Sequence, residues 1–181
     1  VQGEIQPGER WLLQAGLGWD HAATPESGDK VANAPDDAPA LNLRALRRLG
    51  SRTRVYGAAS RRSRFPSLRE LYSGALGRFV PNPALRPEQQ ELFEAGAATD
   101  GRNWGLEGAL FLNYLQGGIE RTKVPGPGNQ FRRVNRTEIR VPGLELVAHW
   151  KPAADLQIDF QHTEMSARGK KHGDVDRPAE D

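Results

Sequence analysis

The chain has 181 residues, 37% of them hydrophobic, a formal net charge of +2 and a mean hydropathy of -0.67, which is polar for a thick soluble core at this length. No run approaches the roughly 18 consecutive apolar residues of a membrane-spanning helix, whereas a membrane β-barrel stays open because its strands are only half apolar. The absence of cysteine excludes disulfide scaffolds, thiolate metal sites and cysteine nucleophiles, and basic clusters such as Arg61, Arg62, Arg64 or Lys170, Lys171, His172 form no single nucleic-acid-binding stripe.

Val1 is not followed by a basic start, an apolar run and a small-residue cleavage site, so the chain reads as a mature or internal segment. The first strand is predicted at residues 11–19, where Trp11, Leu13, Ala15, Leu17 and Trp19 alternate with Gln14, Gly16 and Gly18. A long polar loop is expected over 21–39. Weaker strands follow at 41–47 and 53–61, joined by a short turn at 48–52. A second long loop is expected over 62–88, then a third weaker strand at 89–99 with Phe93, Ala95 and Ala97 opposite Glu94, Gly96 and Ala98.

After a short turn at 100–103, Trp104, Leu106, Gly108, Leu110, Leu112 and Tyr114 alternate with Gly105, Glu107, Ala109, Phe111 and Asn113. Stretches 115–124 and 131–140 extend the neighbouring strands across the Pro-Gly turn at 125–129. Leu144, Leu146, Ala148 and Trp150 form the next apolar set, and a turn at 151–155 leads to Leu156, Ile158 and Phe160. A last long polar loop is expected over 165–181. About seven strands result, with short and long connections in alternation, as in transmembrane barrels with short periplasmic turns and long extracellular loops. Trp11, Trp19, Trp104, Tyr114 and Trp150 bracket the apolar faces and are predicted to be a membrane girdle, since aromatic residues gather at both bilayer interfaces.

Between the third and fourth strands stand Arg64, Phe65, Pro66, then Glu70, Leu71, Tyr72, then Asn82, Pro83, Ala84, Leu85, Arg86, Pro87, Glu88, and finally Glu94, Ala95, Gly96. Their order and spacing resemble the barrel signature of TonB-dependent receptors. Downstream, Val134 with Asn135 and the run Gly143, Leu144, Glu145 resemble that family's Asn-Val and Gly-x-Glu segments, with Asn and Val reversed. Pro66, Pro83 and Pro87 each fix φ and remove a backbone donor, which forces a defined irregular loop. Glu94 and Glu145 alternate with apolar positions and are expected to face the barrel interior. These signature residues are read as loop-packing and strand-register residues rather than ligand contacts.

The resemblance implies an all-β fold: an antiparallel transmembrane β-barrel segment, about seven strands of a barrel of about 22. Residues 1–181 are then one partial barrel, incomplete, with the plug and the C-terminal strands outside it. It also implies a bacterial outer-membrane location and import of a scarce nutrient such as siderophore-bound iron or cobalamin. The partners implied are outer-membrane lipid, a small nutrient ligand held by extracellular loops, and the TonB system acting through the plug. The segment should leave two unpaired edges, near residues 11–19 and 156–163. No cofactor, metal site, nucleic acid or catalytic residue is expected: His21, His149, His162 and His172 have no zinc spacing, nucleophile and nucleotide motifs are missing, and Glu88 with Glu91 lacks a cleft. Asn135, Arg136 and Thr137 match a glycosylation acceptor that an outer-membrane setting leaves unused. The competing reading is a soluble or surface β-rich binding module.

Overall fold

The computed structural model describes residues 1–24, 28–74, 77–126, 128–171 and 177–178. The strands are β1 (Gln2–Ile5), β2 (Trp11–Thr24), β3 (Asn33–Arg48), β4 (Thr53–Arg64), β5 (Phe79–Val80), β6 (Glu88–Asp100), β7 (Trp104–Lys123), β8 (Phe131–Ala153), β9 (Leu156–Met165), β10 (Arg168–Lys171) and β11 (Arg177–Pro178), with one short helix, α1 (Leu68–Tyr72). All of them belong to one sheet, whose long strands pair antiparallel with their sequence neighbours. Among the described residues only β5 runs parallel to its partner, β8. No ladder joins the β1–β2 edge to β9, β10 or β11 among the described residues, so the sheet is open.

Register decides which side each residue takes, because a period of two sends alternate side chains to opposite faces. Following the ladders from β2 to β9 places Leu17, Leu43, Ala59, Phe93, Leu110 and Leu144 on one face. The opposite face carries Gln14, Arg44, Tyr56, Glu94, Glu107, Glu145 and Asp159. The face is apolar from β2 to β8, and on β9 it carries Ile158 and Phe160 and then His162 and Glu164, opposite Leu146 and Leu144; no second sheet lies against it among the described residues. Leu17 and Leu110 are 67% and 64% exposed, a degree that a sandwich core would not leave open.

The seven predicted strands are all present, but four expectations about their surroundings are corrected. Residues 21–39 are mostly strand rather than loop, since β2 runs to Thr24 and β3 begins at Asn33. Pro35 and Pro39 are tolerated in it because β4 pairs only with Leu41–Arg48, leaving the outer part of β3 with one partner and a free side for the missing donors.

The segment after Met165 is likewise not all loop. Gly143 pairs with Met165 and Arg140 with Arg168, one register throughout, so β9 and β10 are halves of one strand along β8. The break falls at Ser166, opposite Pro142, which has no N–H to give; only Ser166 N–H donating to the Pro142 carbonyl (3.1 Å) remains. Third, the turn expected at 151–155 is tighter, because β8 continues to Ala153. Fourth, β2 is not unpaired along its whole outer edge: the chain reverses at Gly8 (φ 78°), and β1 pairs with Leu13 to Gly16. Residues 172–176 and 179–181, including His172, lie outside the described residues, as does residue 127 of the Pro-Gly turn.

Candidate functional site

Short turns at 6–10, 49–52, 101–103 and 154–155 gather at one rim, and the longer connections at the other. β7 and β8 have 20 and 23 residues against the 9–11 a tilted strand needs to cross a bilayer, so both project far past Tyr114 on the long-connection side. Segment 65–87 is fastened there.

Arg64 and Glu88 are direct partners on the inward, polar face. The Arg64 guanidinium donates to Glu88 (Nε to Oε2, 2.5 Å) and, as a two-pronged fork, to Glu70 (2.9 and 3.1 Å). Such paired, charge-assisted bonds set direction as well as distance. α1 is thereby held on the inner side of the rim. Glu70 also accepts from the Ser67 backbone N–H (2.8 Å), while the Ser67 hydroxyl accepts from the Glu70 N–H (3.3 Å), a capping box. The Arg64 fork, followed by the Ser67 bonds, outweighs partial burial and holds the Glu70 carboxyl down to about 2. Glu88 spends its second oxygen on the Ile119 N–H (2.6 Å), beside the left-handed Gly117 (φ 63°) where β7 bulges against β8.

The outgoing half of the segment is fixed by two asparagines. Asn82 is buried, donates to the Arg133 carbonyl (2.8 Å), and accepts from Arg132 (3.1 Å) and the Ala84 N–H (3.3 Å). Asn135 accepts from the Arg86 N–H (2.8 Å) and donates to the carbonyls of Arg86 and Gly117 (both 2.8 Å). Its amide is thus fully engaged in holding the loop to β7 and β8. Leu71 and Leu85 are almost fully buried beneath, and Phe65, Pro66, Pro83 and Pro87 are half-buried around them. The Tyr72 hydroxyl is shielded and has no partner among the described residues. Past the asparagines, β5 docks parallel on β8, with Phe79 against Phe131 (6.1 Å) and the guanidinium groups of Arg133 and Arg121 each 4.5 Å over one of those rings.

Residues from β4, β6, β7 and β8 therefore converge with the loop on one clamp, and Arg64, Glu70, Leu71, Asn82, Leu85, Glu88 and Asn135 are its joints. Glu94, Gly96, Gly143 and Glu145 sit lower, on the inward face. Their glycines have a different task. An added Cβ at Gly96 would lie 2.6 Å from the Tyr56 ring, and one at Gly143 would overlap the Phe111 ring. Each aromatic lies flat across the glycine opposite, and Tyr56 then reaches Glu107 (3.0 Å), which also takes Arg54 (3.3 Å). Sequence reasoning missed this pairing, β1, β5 and α1. The Ser67-x-x-Glu70 spacing was the visible signal for α1.

Trp11, Trp19, Trp104, Tyr114 and Trp150 all share the apolar face; Trp104 faces Trp150 directly. Trp19 is 69% exposed and Trp150 51%, while Tyr114 is half-covered by Arg140, 5.0 Å over its ring. Among the described residues no three His, Asp or Glu side chains gather as metal ligands, and no helix is long and apolar enough to cross a membrane, which says nothing of strands. Glu88 and Glu91 are tied to Arg64 and Arg61, so they form no acid pair.

This one-sided apolar sheet with a polar inner face and a clamped loop is the wall of a membrane barrel. The chain belongs to the family described as TonB dependent receptor-like, beta-barrel, whose model matches residues 1–176. Members of that family are transporters of the bacterial outer membrane rather than enzymes. Among solved structures, the chain is similar to the copper transporter OprC (TM-score 0.70, 22% identity, 94% of this chain and 28% of that one). It is similar also to the FrpB iron transporter from Neisseria meningitidis (0.76, 16%, 93% and 25%). A third is a mutant of the ferric enterobactin receptor PfeA from Pseudomonas aeruginosa (0.70, 20%, 90% and 25%). The chain spans about a quarter of the length of these structures. No curated protein matched it.

Proposed function

We propose that the chain is one sector of the barrel wall of a receptor for energy-coupled uptake of a scarce nutrient. The observation that carries this is the register: the ladders joining β2, β3, β4, β6, β7 and β8 bring the apolar set of each strand onto one face, backed by carboxylates, arginines and tyrosine. Lipid covers such a face, and the opposite face meets water or a plug. The five aromatic residues mark the two interfaces. Trp104 and Tyr114 are ten residues apart, roughly 33 Å along the strand and roughly 25 Å across a bilayer at the usual tilt.

On this reading the clamped segment 65–87 stands at the extracellular mouth. It holds the loops that present the ligand, and its signature residues build the mouth rather than touch the cargo. Coupling to TonB runs through a plug encoded outside these residues. The neighbours named for copper, iron and ferric enterobactin support uptake of a metal or its chelate as the first class to test. Uptake of labelled ferric siderophores, cobalamin and copper should be measured in cells expressing the whole receptor, with and without TonB. Accumulation of one ligand that needs both proteins is expected; accumulation of none, or uptake indifferent to TonB, contradicts the proposal.

A further inference from the structure

The apolar face ends, toward the long-connection rim, at a row of side chains that are partners in successive ladders: Leu17, Leu41, Arg61, Glu91, Tyr114, Arg140 and Arg168. Charge is distributed unevenly along it. Arg61 is matched by Glu91 (3.9 Å) and Gln89 (2.7 Å). Arg140 and Arg168 instead stand directly opposite one another, both exposed, and neither has an ion pair among the described residues. Like charges in opposed positions destabilise a sheet unless an anion lies between them. The nearest acid on that face, Glu138, is one step further out and in register with Lys170. The Tyr114 ring holds one face of the Arg140 guanidinium and leaves its N–H edge open.

A second feature adjoins this pair. The apolar face sinks into a shallow depression of about 1070 Å³, where Ala45, Gly57, Ala59 and Ala95 lie among the larger Leu43, Phe93, Leu110 and Leu112. Leu112 is two residues from Tyr114 on the same face, roughly 7 Å along β7, and Arg140 and Arg168 stand one and two strands beyond Tyr114, roughly 5 and 10 Å further across the sheet, within the reach of an acyl chain.

We propose that this surface binds a lipid whose headgroup carries phosphate, with the phosphate bridging Arg140 and Arg168 and an acyl chain lying in the depression. Two guanidinium groups offer parallel N–H donors to two phosphate oxygens and remove the repulsion between them. The depression supplies the place for the chain that an isolated phosphate would not use. The inference rests on the membrane placement proposed above.

The test uses the whole receptor in mild detergent and native mass spectrometry with dioleoyl phosphatidic acid and dioleoylglycerol as probes. Phosphatidic acid should be retained about tenfold more than dioleoylglycerol, as two charge-assisted contacts allow. Arg140→Gln with Arg168→Gln should lower it to the dioleoylglycerol level, while the double lysine variant keeps part of the difference. Inorganic phosphate should compete only weakly. Arg47→Gln, an outward arginine over Trp11 at the other rim, should change nothing. Equal retention of both lipids, full retention by the double glutamine variant, strong competition by inorganic phosphate, or an equal loss with Arg47→Gln would each overturn the site. Failure of the membrane placement would instead show as a lack of lipid contact at Leu110 and Leu112.

Discussion

At the residue scale, one glycine of the inward face and one glutamate of the clamp carry separable tasks. Gly96 lies under Tyr56, and a side chain there also meets the Gly108 carbonyl at 2.9 Å, so Gly96→Val must expel the ring and break its bond to Glu107. Overpacking of this kind costs about 1–3 kcal/mol. Gly57→Val on the outward face of β4, where an added Cβ meets only the Glu94 carbonyl at 3.8 Å, is the control and should cost much less. Urea unfolding of the whole receptor in detergent compares the two, and equal losses would contradict the stacking role. For Glu70 the sign is set by its lowered carboxyl, about 2 against an ordinary 4.5. The ionised form stabilises the docked loop fully above pH 4.5, and that contribution is lost as pH falls through about 2. Pepsin cleavage within 65–87 should therefore rise between pH 4.5 and 2, whereas Glu70→Gln should be cleaved readily across the whole range. A wild-type cleavage rate that tracks only the enzyme's own pH profile would separate Glu70 from loop docking.

At the scale of elements, what could be read in the sequence and what could not divides along local and non-local lines. The parity of β2, β7 and β8 was plain, because Leu or Trp recurs at most second positions and a period of two needs only neighbours to be seen. The outer half of β3 was not, since Pro35 and Pro39 argue for a loop until it is known that β4 stops pairing at Leu41. The same holds for the strand shared by β9 and β10, where the interruption at Ser166 is caused by Pro142 on a different strand. The clamp was half legible: its residues stood out in order, yet their partners Ile119, Arg132 and Arg133 come from β7 and β8, about 31 to 51 positions away in the chain. β7 supplies the element-scale prediction. Leu110 lies midway between Trp104 and Tyr114 on the outward face and is 64% exposed. Leu110→Arg should cost on the order of 2–4 kcal/mol in lipid. Ala109→Arg, on the inward face, avoids that penalty but meets a buried site, so the informative comparison is bilayer against detergent micelle. A Leu110→Arg receptor that folds equally well in bilayers would move β7 out of the membrane.

At the scale of the whole molecule, the sheet is open, and among the described residues its outer strands have ladder partners on one side only. β1 covers four positions of β2, so most of that edge stays free. Free edges recruit other chains and are not tolerated within lipid. Residues 1–181 expressed alone should consequently aggregate or fail to insert into liposomes, as read by sedimentation and by protease protection of β7. A soluble monomer would favour a self-contained binding module. The central claim is that one parity of every long strand faces lipid, and spin labels placed singly at each position from 104 to 114 in the whole receptor, reconstituted in liposomes, test it most directly. Even positions should show high oxygen accessibility peaking near 110, with odd positions low and closer to a water-soluble relaxer. Accessibility without a period of two, or with the odd positions in lipid, would contradict it.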